Sequence, residues 1–395
     1  MRQWISAWFG LALLSAYACG GEEFSAESSG GAAGSTVGGA TSGGAGGSGG
    51  GAGAGGSAGA SGGSAGSGGS AGSGGSAGSG GSGGLDASTG GGGGADASTG
   101  GSTGCPAPTS PTLLTTATPN PEYPVVSGGN VYFSTDLSIM RVPVAGGTAV
   151  PLHTDIAPTQ IEGVAVAGTD LYWADQGRSE LRHVDLNNNQ FTVVTSGQTG
   201  IQTVAADSTH VYWASDVGIR RRAGGGSNEN LYASAGAYAI ALGESDVFWV
   251  TLAGGVHRGP KSGGSSQPLT NKANPLGGNW SAVSIALDAT HVYFSVRTPT
   301  GTATPPDAVY RVPRAGGALE QVLVISGAEG IALSPTCVYM GHRGVNGRIY
   351  VRPKNLTGGG IVNLGGFQYP RGLAISGGSL LIADSMAGTV QRATL

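Results

Sequence analysis

The sequence predicts an all-β fold: a seven-bladed β-propeller, six blades being the fallback, closed by an N-terminal strand and preceded by a disordered linker. Three observations predict it. A short apolar and aromatic motif opened by a turn residue occurs seven times, as Asn130-Val131-Tyr132-Phe133, Asp170-Leu171-Tyr172-Trp173, His210-Val211-Tyr212-Trp213, Asp246-Val247-Phe248-Trp249, His291-Val292-Tyr293-Phe294, Cys337-Val338-Tyr339-Met340 and Ser379-Leu380-Leu381-Ile382. Successive turn residues are 40, 40, 36, 45, 46 and 42 positions apart, the period of a four-stranded blade. Gly, Asn and Pro punctuate the units, and no helical period interrupts them.

Each motif is the second strand of its unit. A third strand with an arginine follows, as in Ser138-Ile139-Met140-Arg141-Val142-Pro143 and Ala308-Val309-Tyr310-Arg311-Val312-Pro313, then often a Gly-Gly turn and a last strand such as 318–324. The final unit supplies only three strands before Leu395. Thr112-Leu113-Leu114-Thr115-Thr116-Ala117, ahead of the first unit, has outer-strand character and is expected to complete it, which removes the one free sheet edge. The Trp173, Trp213 and Trp249 series is periodic, as packing between blades requires.

Tyr172-Trp173-Ala174-Asp175 resembles the YWTD repeat of the low-density-lipoprotein-receptor propellers. Glu329-Gly330-Ile331-Ala332-Leu333 and Arg371-Gly372-Leu373-Ala374-Ile375 are similar to the first strand of NHL repeats. Most blades depart from the YWTD pattern, with Ser215, Thr251 or Val296 where the aspartate would stand, and YWTD propellers have six blades. The resemblance implies the fold, which hosts binding modules and enzymes alike.

Glycine supplies 79 of the 395 residues, and 39 of them lie between Gly20 and Gly104. Residues 19–104 repeat Gly-Gly-Ser-Ala-Gly-Ser with almost no branched or aromatic side chain, so they cannot bury enough surface to offset their ordering entropy and are expected to be a flexible tether. Residues 1–18 read as a secretory signal, with Arg2 ahead of an apolar stretch from Trp4 to Leu14. Ala16-Tyr17-Ala18 fits ordinary signal cleavage, which would give a secreted or periplasmic protein. Cys19-Gly20-Gly21 resembles a lipoprotein lipobox, although Ala16 and Tyr17 depart from its usual residues; it implies lipidation at Cys19 and, with no aspartate at Gly20, the outer membrane or cell surface.

The domain at 105–395 holds 18 basic and 18 acidic residues, a balance without the footprint of a nucleic-acid binder. Arg220, Arg221 and Arg222 fall on one strand and cannot all share a face. With Cys19 set aside, Cys105 and Cys337 remain, and strand direction puts both on the same face in adjacent blades, where export permits a disulfide.

Alignment of the units places Glu122, Glu162, Gln202, Tyr238, Val283, Glu329 and Arg371 at the start of the innermost strands, beside the central channel. Such a mouth can hold a polar ligand, or it can be a solvated rim in which Arg371 neutralises Glu329. None of the six histidines joins this ring, His210 and His291 read as turn residues, and no metal site or cofactor is implied. Two insertions, at 271–280 and 297–307, lengthen unit five on the face that bears the ring, which makes Asn279, Trp280 and Arg297 candidate contact residues. The reading that results is a monomeric, surface-tethered module that binds a protein or glycan of the envelope or exterior. The alternative is a hydrolase or lyase using Glu122, Glu162 and Glu329 on a small polar substrate.

Overall fold

The computed structural model describes residues 105–116, 119–157, 159–270, 281–297, 307–344, 346–356 and 362–395, which form seven four-stranded antiparallel sheets. Residues 1–104, including Cys19, and Ala117, Asn279 and Trp280 lie outside the described residues. Blade one runs Glu122–Ser127, Asn130–Ser134, Ser138–Pro143 and Val150–Thr154 from axis to rim, and the next five blades repeat that order. Blade seven contains Pro370–Ser376, Ser379–Asp384 and Thr389–Thr394, with Thr112–Thr116 as its outermost strand. The seven motifs are the seven second strands, and they are largely buried, because each is flanked by strands of its own sheet and by the faces of neighbouring sheets. Trp173, Trp213 and Trp249 are fully buried there. The outer strand of blade five is shorter than its sequence suggests, Glu320–Val324, since Gly316 and Gly317 occupy a turn with positive φ.

A polar device repeats between blades. The third-strand arginine reaches the carbonyl that follows the third strand of the next blade: Arg258 Nη1 donates to Arg314 O at 3.0 Å, and Arg392 Nη1 of blade seven donates to Val144 O of blade one at 2.9 Å. Arg221 and Arg311 make the equivalent bonds to the carbonyls of Lys261 and Lys354. Blade two has His183 at this position, bonded to Asp170 at 2.7 Å, an acidic partner that the spacing of the histidines does not reveal. The three consecutive arginines part company as expected: Arg220 meets Gln198, Arg221 meets Glu229, and Arg222 meets the Val194 carbonyl.

On the opposite face from the inner-strand starts, Asp207 and Asp288 close the turns before the second strands of blades three and five. Asp288 accepts from the Thr290 and His291 amides, both at 2.8 Å, and pairs with Lys354 of blade six at 3.1 Å. Asp207 is matched by Lys261 of blade four at 2.9 Å. Burial acts to raise these carboxyls, but the amide donors and lysines outweigh it and hold both at about 2. Cys105 and Cys337 are joined on this same face, with Cα atoms 5.8 Å apart.

Two outcomes are expected. Arg258→Ala should lower stability by about 2 kcal/mol in denaturant titration, because the Arg314 carbonyl loses a charged donor. For Asp288, the folded value near 2 against an ordinary 3.8 gives stability that is fully present above pH 4 and lost as pH falls through 2. Asp288→Asn should therefore cost about 1–2 kcal/mol at pH 7, and the gap between variant and parent should close in melts taken near pH 2.

Candidate functional site

The channel mouth is built by one backbone irregularity used repeatedly. In six blades the register between the first and second strands slips by one residue: between Glu122 and Val125, Ile161 and Gly163, Ala237 and Ala239, Ala282 and Ser284, Ala328 and Ile331, and Pro370 and Gly372. Such a bulge re-aims one side chain out of the alternating pattern. The extra residue is Glu162 in blade two, Tyr238, Val283, Glu329 and Arg371 in blades four to seven, and Glu122 begins the slip in blade one. In blade three the Gln202 amide donates to the Ala214 carbonyl, and the first strand begins only at Val204.

Glycine follows the extra residue in several blades, and its reason is steric. A Cβ on Gly330 would strike the carbonyl oxygen of Arg371, and one on Gly372 would strike the Pro124 ring. Neighbouring inner strands thus approach closely only because these side chains are missing. Blade one has Tyr123 there instead, at φ 49°, a conformation unusual for a bulky residue.

Glu122, Glu162, Tyr238, Val283, Glu329 and Arg371 line one cavity of about 50 Å³, together with Tyr123 and Thr203. Gln202 is buried but does not line it; Thr203 does, and its hydroxyl donates to Tyr238 O at 2.9 Å and accepts from Ile240 N at 3.1 Å. Arg371 bridges two blades, with Nε 3.2 Å from Glu329 Oε1 and Nη1 on Glu122 Oε1. Arg297 lies 3.4 Å from the other Glu329 oxygen. Glu162 is held differently: Tyr123 donates to Oε2 at 2.9 Å and Gln160 to Oε1 at 2.6 Å. Tyr123, Thr203 and Gln160 are the residues that sequence reasoning missed. The signal for Thr203 was its place one residue after the ring position, where blades two, six and seven have glycine.

Burial sets the protonation pattern. It pushes the Glu122 carboxyl up to about 7, against Arg371 and with help from Glu162 and Glu329. Burial also opposes the Glu329 charge, but Arg371, Arg297 and Arg343 outweigh it and keep that carboxyl below its ordinary value. Among the described residues, no three His, Cys, Asp or Glu side chains are arranged to hold a metal ion.

Around this mouth the face is apolar at its tips. Leu137, Val217, Leu252 and Met386 occupy the turns between second and third strands in blades one, three, four and seven, and Ile156 the crossing from blade one to blade two. Met386 is 61% and Ile156 82% exposed. The other exposed large hydrophobic side chains among the described residues, Leu113, Val150, Val193 and Val324, lie on outermost strands.

Solved propellers share this architecture. The WD40 repeats of RRP9 superpose with a TM-score of 0.58 at 14% identity, covering 73% of this chain and 99% of that one. U3-55K gives 0.57 at 14% identity, over 74% of this chain and 100% of that one. An extracellular domain ascribed to a one-component system of B. thetaiotaomicron gives 0.57 at 10% identity, over 72% of this chain and 40% of that one. No family model and no curated protein matches the chain. Identities this low establish the fold and leave function to the site.

Because the folded Glu122 value near 7 exceeds the ordinary 4.5, its contribution to stability is fully present below pH 4.5 and is lost as pH rises through 7. Glu122→Gln should flatten the dependence of stability on pH across that window and gain about 2 kcal/mol relative to the parent above pH 8, read by urea titration at several pH values.

Proposed function

We propose that the chain is a protein-binding propeller that works outside the cytoplasm and docks its partner on the face bearing the channel mouth. The observation that carries this reading is the set of exposed apolar turn residues, Leu137, Ile156, Val217, Leu252 and Met386, gathered on one face around the mouth. Exposed aliphatic tips around a polar centre make a surface that loses water favourably against another protein. Arg297 lies at the edge of the same face, where the long connections of blade five depart. The signal-like segment at 1–18, the Gly/Ser/Ala-rich segment at 19–104 and Cys19 support a placement at the outer membrane or cell surface, with release into the periplasm or medium as the alternative. The Tyr172-Trp173-Ala174-Asp175 motif supports a YWTD-like repeat, and the protein partner is favoured over a glycan by the aliphatic character of the tips.

A hydrolase or lyase reading has one observation in its favour, the Glu122 carboxyl held near 7, where a general acid or base works best. The mouth's volume of about 50 Å³ opposes it, being several-fold below the ~300–1,000 Å³ of ordinary small-molecule pockets.

The test compares capture of envelope proteins by the parent, by a variant with Leu137, Val217, Leu252 and Met386 all changed to serine, and by a control with Val193 and Val324 changed to serine. The face variant should lose at least tenfold in retained partner while the control retains it. Equal loss in both, or in neither, contradicts docking on this face.

A further inference from the structure

The carboxylates of the mouth are not equally compensated. Glu122 and Glu329 share Arg371, and Glu329 has Arg297 as well. Glu162 is only 6% exposed and makes no ion pair among the described residues; the Arg371 charge acts on it only from beyond ion-pair distance. Its hydrogen bonds from Tyr123 and Gln160 are to neutral groups, and neutral donors compensate a buried carboxylate less than a charge does. Beside it is the cavity of about 50 Å³, where Arg371, Arg297 and Arg343 are drawn to Glu329 and burial favours the neutral form of Glu122, so that Glu162 is the carboxylate left with neutral donors alone in contact. The hydroxyl-bearing rings of Tyr123 and Tyr238 line the same space, and burial, reinforced by Glu162, keeps both phenols neutral.

Size selects among cations. A few water molecules, or the tip of one side chain, is what such a volume admits. A guanidinium is a planar fork that needs parallel acceptors, whereas an ammonium is a compact point charge with three donors. The mouth is lined by carboxylate- and phenol-bearing residues contributed by several different blades, which suits the compact group.

From this we infer that the channel mouth is a socket for a primary ammonium group, filled by a lysine side chain of the docked protein, with Glu162 as the counter-ion. The inference rests on the docking reading above and deepens it, by giving the partner a lysine that projects from an otherwise apolar contact surface. The aliphatic tips hold the partner's surface, and the lysine fixes its register over the axis.

The experiment uses the purified full chain and n-butylamine hydrochloride, the lysine side chain without its backbone, against sodium chloride and tetramethylammonium chloride at matched ionic strength and pH 7. Butylamine at tenfold over its Kd should raise the melting temperature by about 3 °C relative to sodium chloride. Tetramethylammonium, which has no N–H donor, should not. Glu162→Gln should abolish the butylamine shift while leaving the far-ultraviolet circular dichroism spectrum unchanged. An equal shift with tetramethylammonium or sodium, or a shift that survives in Glu162→Gln, overturns the socket. If that variant fails to fold, Tyr238→Phe with Thr203→Val serves instead, and a butylamine affinity unchanged within twofold overturns it. Spermidine binding more than tenfold tighter than butylamine overturns the lysine source in favour of a free polyamine. Failure of the socket with retained sensitivity to the serine face variant leaves the docking reading standing.

Discussion

A ring of sheets stands or falls on the joint where its two ends meet, since every other blade is held by neighbours on both sides. Here the joint is the pairing of Thr112–Thr116 with Thr389–Thr394, which makes blade seven a sheet drawn from both ends of the domain. Arg392 adds a second seam by reaching from blade seven to the Val144 carbonyl of blade one. At the axis, Arg371 of blade seven binds Glu122 of blade one and Glu329 of blade six, so the same joint is stitched at its inner edge as well. Rim, middle and axis are thus closed by three different kinds of contact.

The bulge at the start of six of the seven inner strands converts this architecture into a site. A regular strand would alternate its side chains between the two faces of the sheet, and the channel would receive none of them squarely. Where it occurs, the slip releases one residue toward the axis, and in blades six and seven the glycine after it lets the next blade close in. The mouth is narrow for the same reason. Seven inner strands brought this near leave room for small groups only, which ties the chemistry of any occupant to the packing of the ring.

Repetition made the fold legible. Seven apolar second strands, six of them aromatic, at a period near forty residues fix blade number, strand order and the location of the core, because each blade must bury the same face against its neighbours. Glu122, Glu162, Tyr238, Val283, Glu329 and Arg371 could be placed by that alignment, since the bulge occurs at a constant offset from the motif. Thr203 was legible only through its place one residue after the ring position, where blades two, six and seven carry glycine, because a small polar residue does not by itself mark a cavity wall. Tyr123 escaped because its left-handed backbone and its bond to the Glu162 carboxylate of the next blade arise only once the blades are assembled. The apolar tips were equally silent, for Leu137 or Met386 in a turn is unremarkable until strand direction puts them on one face.

The bond between Cys105 and Cys337 also decides how the domain bears load. Cys105 lies ahead of the closing strand, and Cys337 opens the buried second strand of blade six. Tension arriving along the chain before Cys105 therefore passes through the sulfur atoms into the interior of blade six and bypasses Thr112–Thr116. An outer strand pulled from its end unzips one hydrogen-bonded pair at a time, whereas a strand buried between two others must shear all of its pairs together. The edge strand that completes the ring is in this way mechanically isolated from whatever lies upstream of it.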